Sequence, residues 1–168
     1  MLNVGEILSS GASLKVVYGL GFMFFTLLMA SVSDLRKLTI KAEFVSTWLG
    51  FSLLMFAYDY FNYEYVWWKW FLIVLLGILS WRGTGKIFSL ARADVVAISA
   101  VCSVLEIPYI VLFYIILLVT NAIAIYPLKF FRRGNKYPFM PVILLSLVIL
   151  ILILGIVNLH VIFGALGF

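Results

Sequence analysis

Few side chains in this 168-residue sequence could do chemistry: seven carboxylates, one histidine and one cysteine. Two of the acids stand out by position. In "SVSDLRKLTI" an apolar run stops abruptly at Asp34, and Arg36 and Lys37 follow. In "LARADVVAISA" Asp94 sits just inside the start of another apolar run. Two carboxylates a few ångström apart do not both ionise readily, so they share a proton and one serves as base, the other as acid. Such a pair can take a proton from a water attacking a peptide carbonyl, hydrogen-bond the carbonyl oxygen and help protonate the leaving amine. That chemistry needs no metal, cysteine or cofactor. Plainer roles exist for both residues. Asp94 suits a helix N-terminus, where it caps free N–H groups. Asp34 can be an interfacial acid pairing with Arg36 or Lys37, although an acid at a helix C-terminus opposes the dipole. Acids inside a membrane are costly and usually functional, which keeps the catalytic pair in view.

Other schemes have less to build on. A lone Cys102 excludes an internal disulfide and a C-x-x-C zinc module, and its mid-helix place reads as packing. His160 stands far from most candidate serines, and a metal site would rest on a handful of carboxylates, so none is expected. "GTGK", residues 83–86, is not a phosphate loop: Ser80 occupies the first glycine position and Ile87 follows the lysine. A flexible loop is the better reading.

The elements that must position the aspartates follow from composition. With 65% hydrophobic and 11% charged residues, the chain reads as a single membrane-embedded domain, 1–168, whose solvent is lipid. Apolar segments fall at roughly 15–33, 43–60, 65–81, 93–106, 108–126 and 139–163. The expected fold is an all-α polytopic membrane protein with six transmembrane helices, since unclosed strands would leave backbone groups unpaired in lipid. The fourth segment is short for a span, so it is expected to borrow a turn or more from "KIFSLAR" or to start in a cavity. Ten of the twelve cations lie in the first, third and fifth loops. The positive-inside rule then puts those loops in the cytoplasm and both termini on the extracytoplasmic side. The basic loops, which account for a net charge of +5, are expected to meet anionic membrane lipids and not nucleic acid. Residues 16–33 followed by "ASVSD" imitate a signal peptide, but Glu6 precedes Lys15 and no basic n-region leads in, so the segment reads as a retained helix. "YEYVWWKW", residues 63–70, reads as an aromatic belt with Lys69 snorkelling to the outer interface.

On this topology Glu6, Asp59, Glu64 and Glu106 fall in outer loops or termini, while Asp34, Glu43 and Asp94 fall on the cytoplasmic side. Asp34 is expected to end the first helix and Asp94 to begin the fourth, at one depth. Ala93, Ala97 and Ala100 form a small-residue strip beside Asp94 that would let another helix approach.

In layout and motifs the sequence resembles the type IV prepilin peptidases, in particular the short archaeal prepilin and preflagellin peptidases, six-helix intramembrane aspartyl proteases of the G-x-G-D type. "DLRKLTIKAEF" is similar to the family's first motif, D-[ILV]-[KR]-x-x-x-I-P-N, through Asp34, Leu35, Arg36 and Ile40, with Lys41 in place of the proline. "ARAD" is similar to the second, with Ala91 and Ala93 in place of its glycines before Asp94. "GNKYPFMPVILLS" resembles the P-F-x-P segment through Pro138, Phe139 and Pro141, where prolines also suit a helix entrance. The resemblance covers the whole chain in layout and about thirty residues in motif. It implies an endopeptidase in the cell membrane with Asp34 and Asp94 catalytic. It would remove the short basic leader from pilin-like or archaellin precursors at the cytoplasmic face, typically after Gly or Ala. The longer bacterial relatives carry a cysteine zinc motif and methylate the new N-terminus; with one cysteine, neither that activity nor S-adenosylmethionine is expected here, and no cofactor is. Glu43 is a weak candidate for contacting the basic leader, beside its simpler role at the start of the second helix. The other classes that fit are a small transporter or proton-coupled channel using the same two acids, another G-x-G-D protease, and a non-catalytic assembly subunit. Transporters more often place such acids at the midplane, on interrupted helices.

Overall fold

Long runs of Leu, Ile, Val and Phe, broken by short polar stretches, fold into six helices among the described residues. The computed structural model describes residues 14–61, 66–82, 90–128 and 138–165, with side-chain surroundings up to 155. The helices are α1 (Leu14–Lys37), α2 (Ala42–Phe61), α3 (Trp67–Ser80), α4 (Arg92–Val104), α5 (Ile107–Leu128) and α6 (Met140–Ala165). Among the described residues there is no strand, only an isolated bridge between Trp81 and Leu90. The all-helical fold agrees with the apolar periodicity. Among the described residues two helices are long and apolar enough to cross a membrane, Lys15–Lys37 of α1 and Ile107–Leu128 of α5. α3 and the Met140–Gly155 part of α6 are shorter apolar helices. "GTGK", Glu6, Glu64, Lys86, the cations between Lys129 and Lys136, and the side chain of His160 lie outside the described residues.

Three expectations change. α1 does not end at Asp34 but runs one turn further to Lys37, because the backbone still finds an i−4 partner there: the Leu38 N–H donates to the Asp34 carbonyl at 2.8 Å. Leu38 then takes a positive φ of 51°, which closes the helix and turns the chain into α2. The fourth helix borrows no turn from "KIFSLAR". Leu90 pairs in extended form with the chain beyond α3: the Leu90 N–H donates to the Ser80 carbonyl, and the Leu90 carbonyl accepts from Arg82. α4 therefore starts only at Arg92 and spans about 20 Å. Asp59, assigned to an outer loop, instead lies in the last turn of α2, fully buried.

α4 is short because it is wrapped. It packs on α1, α2, α3 and α6, while α1 and α5 each run along α6. Its Ala97, Ile98, Ala100, Val101 and Cys102 are at most 1% exposed. The alanine strip lies in this helix, and α2, with Trp48 fully buried, packs extensively along it. Gly19 lets α1 come equally close: a Cβ there would sit 2.8 Å from a methyl of Val104. α1 and α2 are also tied by the Trp48 Nε1–H, which donates to Thr26 Oγ1 at 3.0 Å.

Candidate active site

Asp34 and Asp94 approach each other at one end of the bundle. Asp34 is 5% exposed and Asp94 7%, and their charges lie within electrostatic reach of each other. α1 brings Asp34 in on its buried face, which repeats as Leu20, Met23, Leu27, Ala30, Ser31 and Asp34 with helical spacing. α4 presents Asp94 from its first turn.

Each carboxylate is held by the start of a helix. Met140 N–H donates to Asp34 Oδ2 at 3.1 Å, and the Phe139 N–H also reaches that carboxylate. The local sequence explains why. Pro138 and Pro141 have no N–H to offer, and the carbonyl of Phe139 is already taken by the Val142 and Ile143 N–H groups. The N–H groups of Phe139 and Met140 are left as the orphan donors of α6, and Asp34 caps them from 106 residues away. The proline-marked helix entrance thus falls where expected, at Met140. Asp94 turns back on its own helix, its Oδ2 accepting from the Ala91 N–H at 3.2 Å. Ala91 has no side-chain oxygen to return the bond. Two helix N-termini therefore point their N–H groups at two acids that lie within electrostatic reach of each other. The arrangement offers one group to take a proton and one to give it, with one oxygen of each acid fixed by the backbone.

The remaining sequence candidates divide. Phe139 is buried beside Asp34, and Ile40 and Ala93 pack against the core. Arg36 and Lys41 are exposed at the same end, so Asp34 is bound to backbone N–H groups and not to Arg36 or Lys37 as an interfacial pair. Glu43 stands exposed in the first turn of α2 and makes no described contact with the two aspartates. Ser31, one turn before Asp34, was not singled out by sequence; its spacing on the buried face was the available signal.

The opposite end holds a second buried charge cluster. Lys69, expected to snorkel outward, turns inward instead. Its Nζ donates to Asp59 Oδ2 at 2.9 Å and to the Ser103 carbonyl at 2.7 Å. Lys15 closes on Asp59 Oδ1. A fully buried carboxylate without a counter-charge is costly, and Lys69 supplies one to Asp59. The cluster borders a cavity of about 400 Å³ that Glu106 and Pro108 also line.

Matched against protein-family models, curated proteins and solved structures, the chain shows no significant similarity to any of them. Its likeness to the prepilin peptidases therefore rests on the three short motifs and their order.

Proposed function

We propose that this chain is a six-span membrane aspartyl endopeptidase that removes the basic leader from pilin-like or archaellin precursors. One observation carries the reading: two buried acids from helices distant in sequence lie within electrostatic reach of each other at one end of the bundle. A second observation supports the orientation. Arg36, Lys37, Lys41, Arg82 and Arg92, all at the Asp34 end, are exposed, whereas Lys15 and Lys69 at the other end are largely buried around Asp59. Exposed positive charge at the Asp34 end supports placing that end on the cytoplasmic side.

In the reaction, one carboxylate takes a proton from water as the water oxygen adds to the scissile carbonyl. The other, protonated, donates a hydrogen bond to that carbonyl oxygen. The C–N bond then breaks as the amine takes up a proton from the pair. The precursor presents its leader on the cytoplasmic side and its apolar helix in the bilayer, and the cut falls between them.

A small transporter or proton-coupled channel is the alternative use of the same acids. Between Asp94 and the Asp59 cluster, α4 carries Ala97, Ile98 and Val101, all at most 1% exposed. These α4 side chains offer no group to relay an ion, and the two acids lie at one end of the bundle and not midway along interrupted helices, which favours the peptidase. The test is to incubate the detergent-purified chain with a pilin-like precursor and weigh the products. The expected result is a single cut releasing the leader, unchanged by a chelator. An intact precursor after prolonged incubation with folded protein would contradict the proposal.

A further inference from the structure

Hydroxyls in helices commonly return their proton to their own backbone, and five described here do so. Thr26, Thr47, Ser52 and Ser146 donate to the carbonyl four residues back, at 3.0, 2.7, 2.9 and 2.8 Å. Ser103 donates to the Ala100 carbonyl at 2.8 Å. Ser31 does not. It is 4% exposed, and its Oγ has no hydrogen-bond partner among the described residues. A buried polar group left in this way is costly, and a protein that keeps one has a use to account for.

Trp70 Nε1 and Ser80 Oγ are the other two buried atoms in this state among the described residues. Ser80 faces the Tyr114 hydroxyl, and the Trp70 ring packs edge-on against Phe56 away from the acids. Ser31 is different in place. It precedes Asp34 by three residues on α1, so the two share the buried face of one helix. It stands about 4.5 Å along the axis toward the interior of the bundle.

A cut between a leader and an apolar helix leaves the helix starting at the scissile bond. Its first-turn N–H groups have no intrahelical partner, and in a water-poor site they need one from the enzyme. Serine oxygen is among the best acceptors for N–H groups at a helix start. Building on the peptidase reading, we propose that Ser31 is a substrate-binding residue whose Oγ accepts a hydrogen bond from a main-chain N–H in the first turn of the precursor's apolar helix.

The test compares the full-length chain with Ser31→Ala and Ser31→Thr, reading steady-state cleavage of a pilin-like precursor and thermal unfolding together. Ser31→Ala is expected to lower kcat/KM about tenfold, carried by KM. Its melting temperature should hold or rise, because the change removes an unpaired buried hydroxyl. Ser31→Thr keeps the oxygen and should recover to within about threefold of the wild type. Unchanged kcat/KM in Ser31→Ala overturns the assignment while leaving the peptidase standing. So does a loss that tracks a lower melting temperature, or a Ser31→Thr no better than Ser31→Ala. A folded wild type that cleaves no precursor overturns both.

Discussion

Asp59 and the Asp34–Asp94 pair are buried to similar depth at opposite ends of one bundle, yet they keep different company. Asp59 is fully buried between two ammonium groups, Lys15 and Lys69, and Lys69 also caps a carbonyl near the end of α4. Asp34 and Asp94 have no cation against them among the described residues; each has backbone N–H groups and the other acid. Burial of a carboxylate is therefore no mark of chemistry by itself. At the Asp59 end opposite charges meet, and the groups hold helices together. At the Asp34 end two acids lie within electrostatic reach of each other, held by backbone N–H groups and with no cation against them among the described residues.

The contrast can be broken by one substitution made at both ends. Asp59→Asn removes the buried carboxylate that two ammonium groups share and should cost about 3–5 kcal/mol of stability. The same change at Asp34 or Asp94 should cost less than about 1 kcal/mol, because an asparagine oxygen caps N–H groups nearly as well. Equal losses in denaturation of the three variants would remove the distinction. The next effect lies where α1 meets α4 near the Asp59 end. Gly19→Ala puts a Cβ into Val104 and should destabilise by about 1–3 kcal/mol, and Val104→Ala added to it should restore most of that, a coupling readable in a double-mutant cycle. The smallest effect is a gain at the Asp34 end. Leu38 holds a positive φ of 51°, so Leu38→Gly should raise stability by about 1 kcal/mol in thermal unfolding without altering cleavage.

Much of this was legible in the sequence because it is local. Apolar runs gave the helices within a few residues, Pro138 and Pro141 marked the entrance to α6, and the cation pattern put Asp34 and Asp94 at one end. What escaped depends on side-chain direction and distant contacts. Lys69 sits in an aromatic stretch that reads as an interface belt, and nothing local says that its stem turns toward Asp59. Asp34 finds its donor at Met140, 106 residues away, and no periodicity encodes that meeting. α4 looked too short because a span was sought in lipid, whereas its surroundings are other helices.

The central claim is that Asp34 and Asp94 act as an acid–base pair and not merely as helix caps. Asn substitution separates the two, since it keeps the cap and removes the ionisable proton. The measurement is the rate of leader removal from a pilin-like precursor by purified Asp34→Asn and Asp94→Asn, with melting temperatures taken on the same samples. The account predicts a loss of about 10²–10⁴-fold or more in each variant, with folding intact. Cleavage near the wild-type rate in either variant would contradict it.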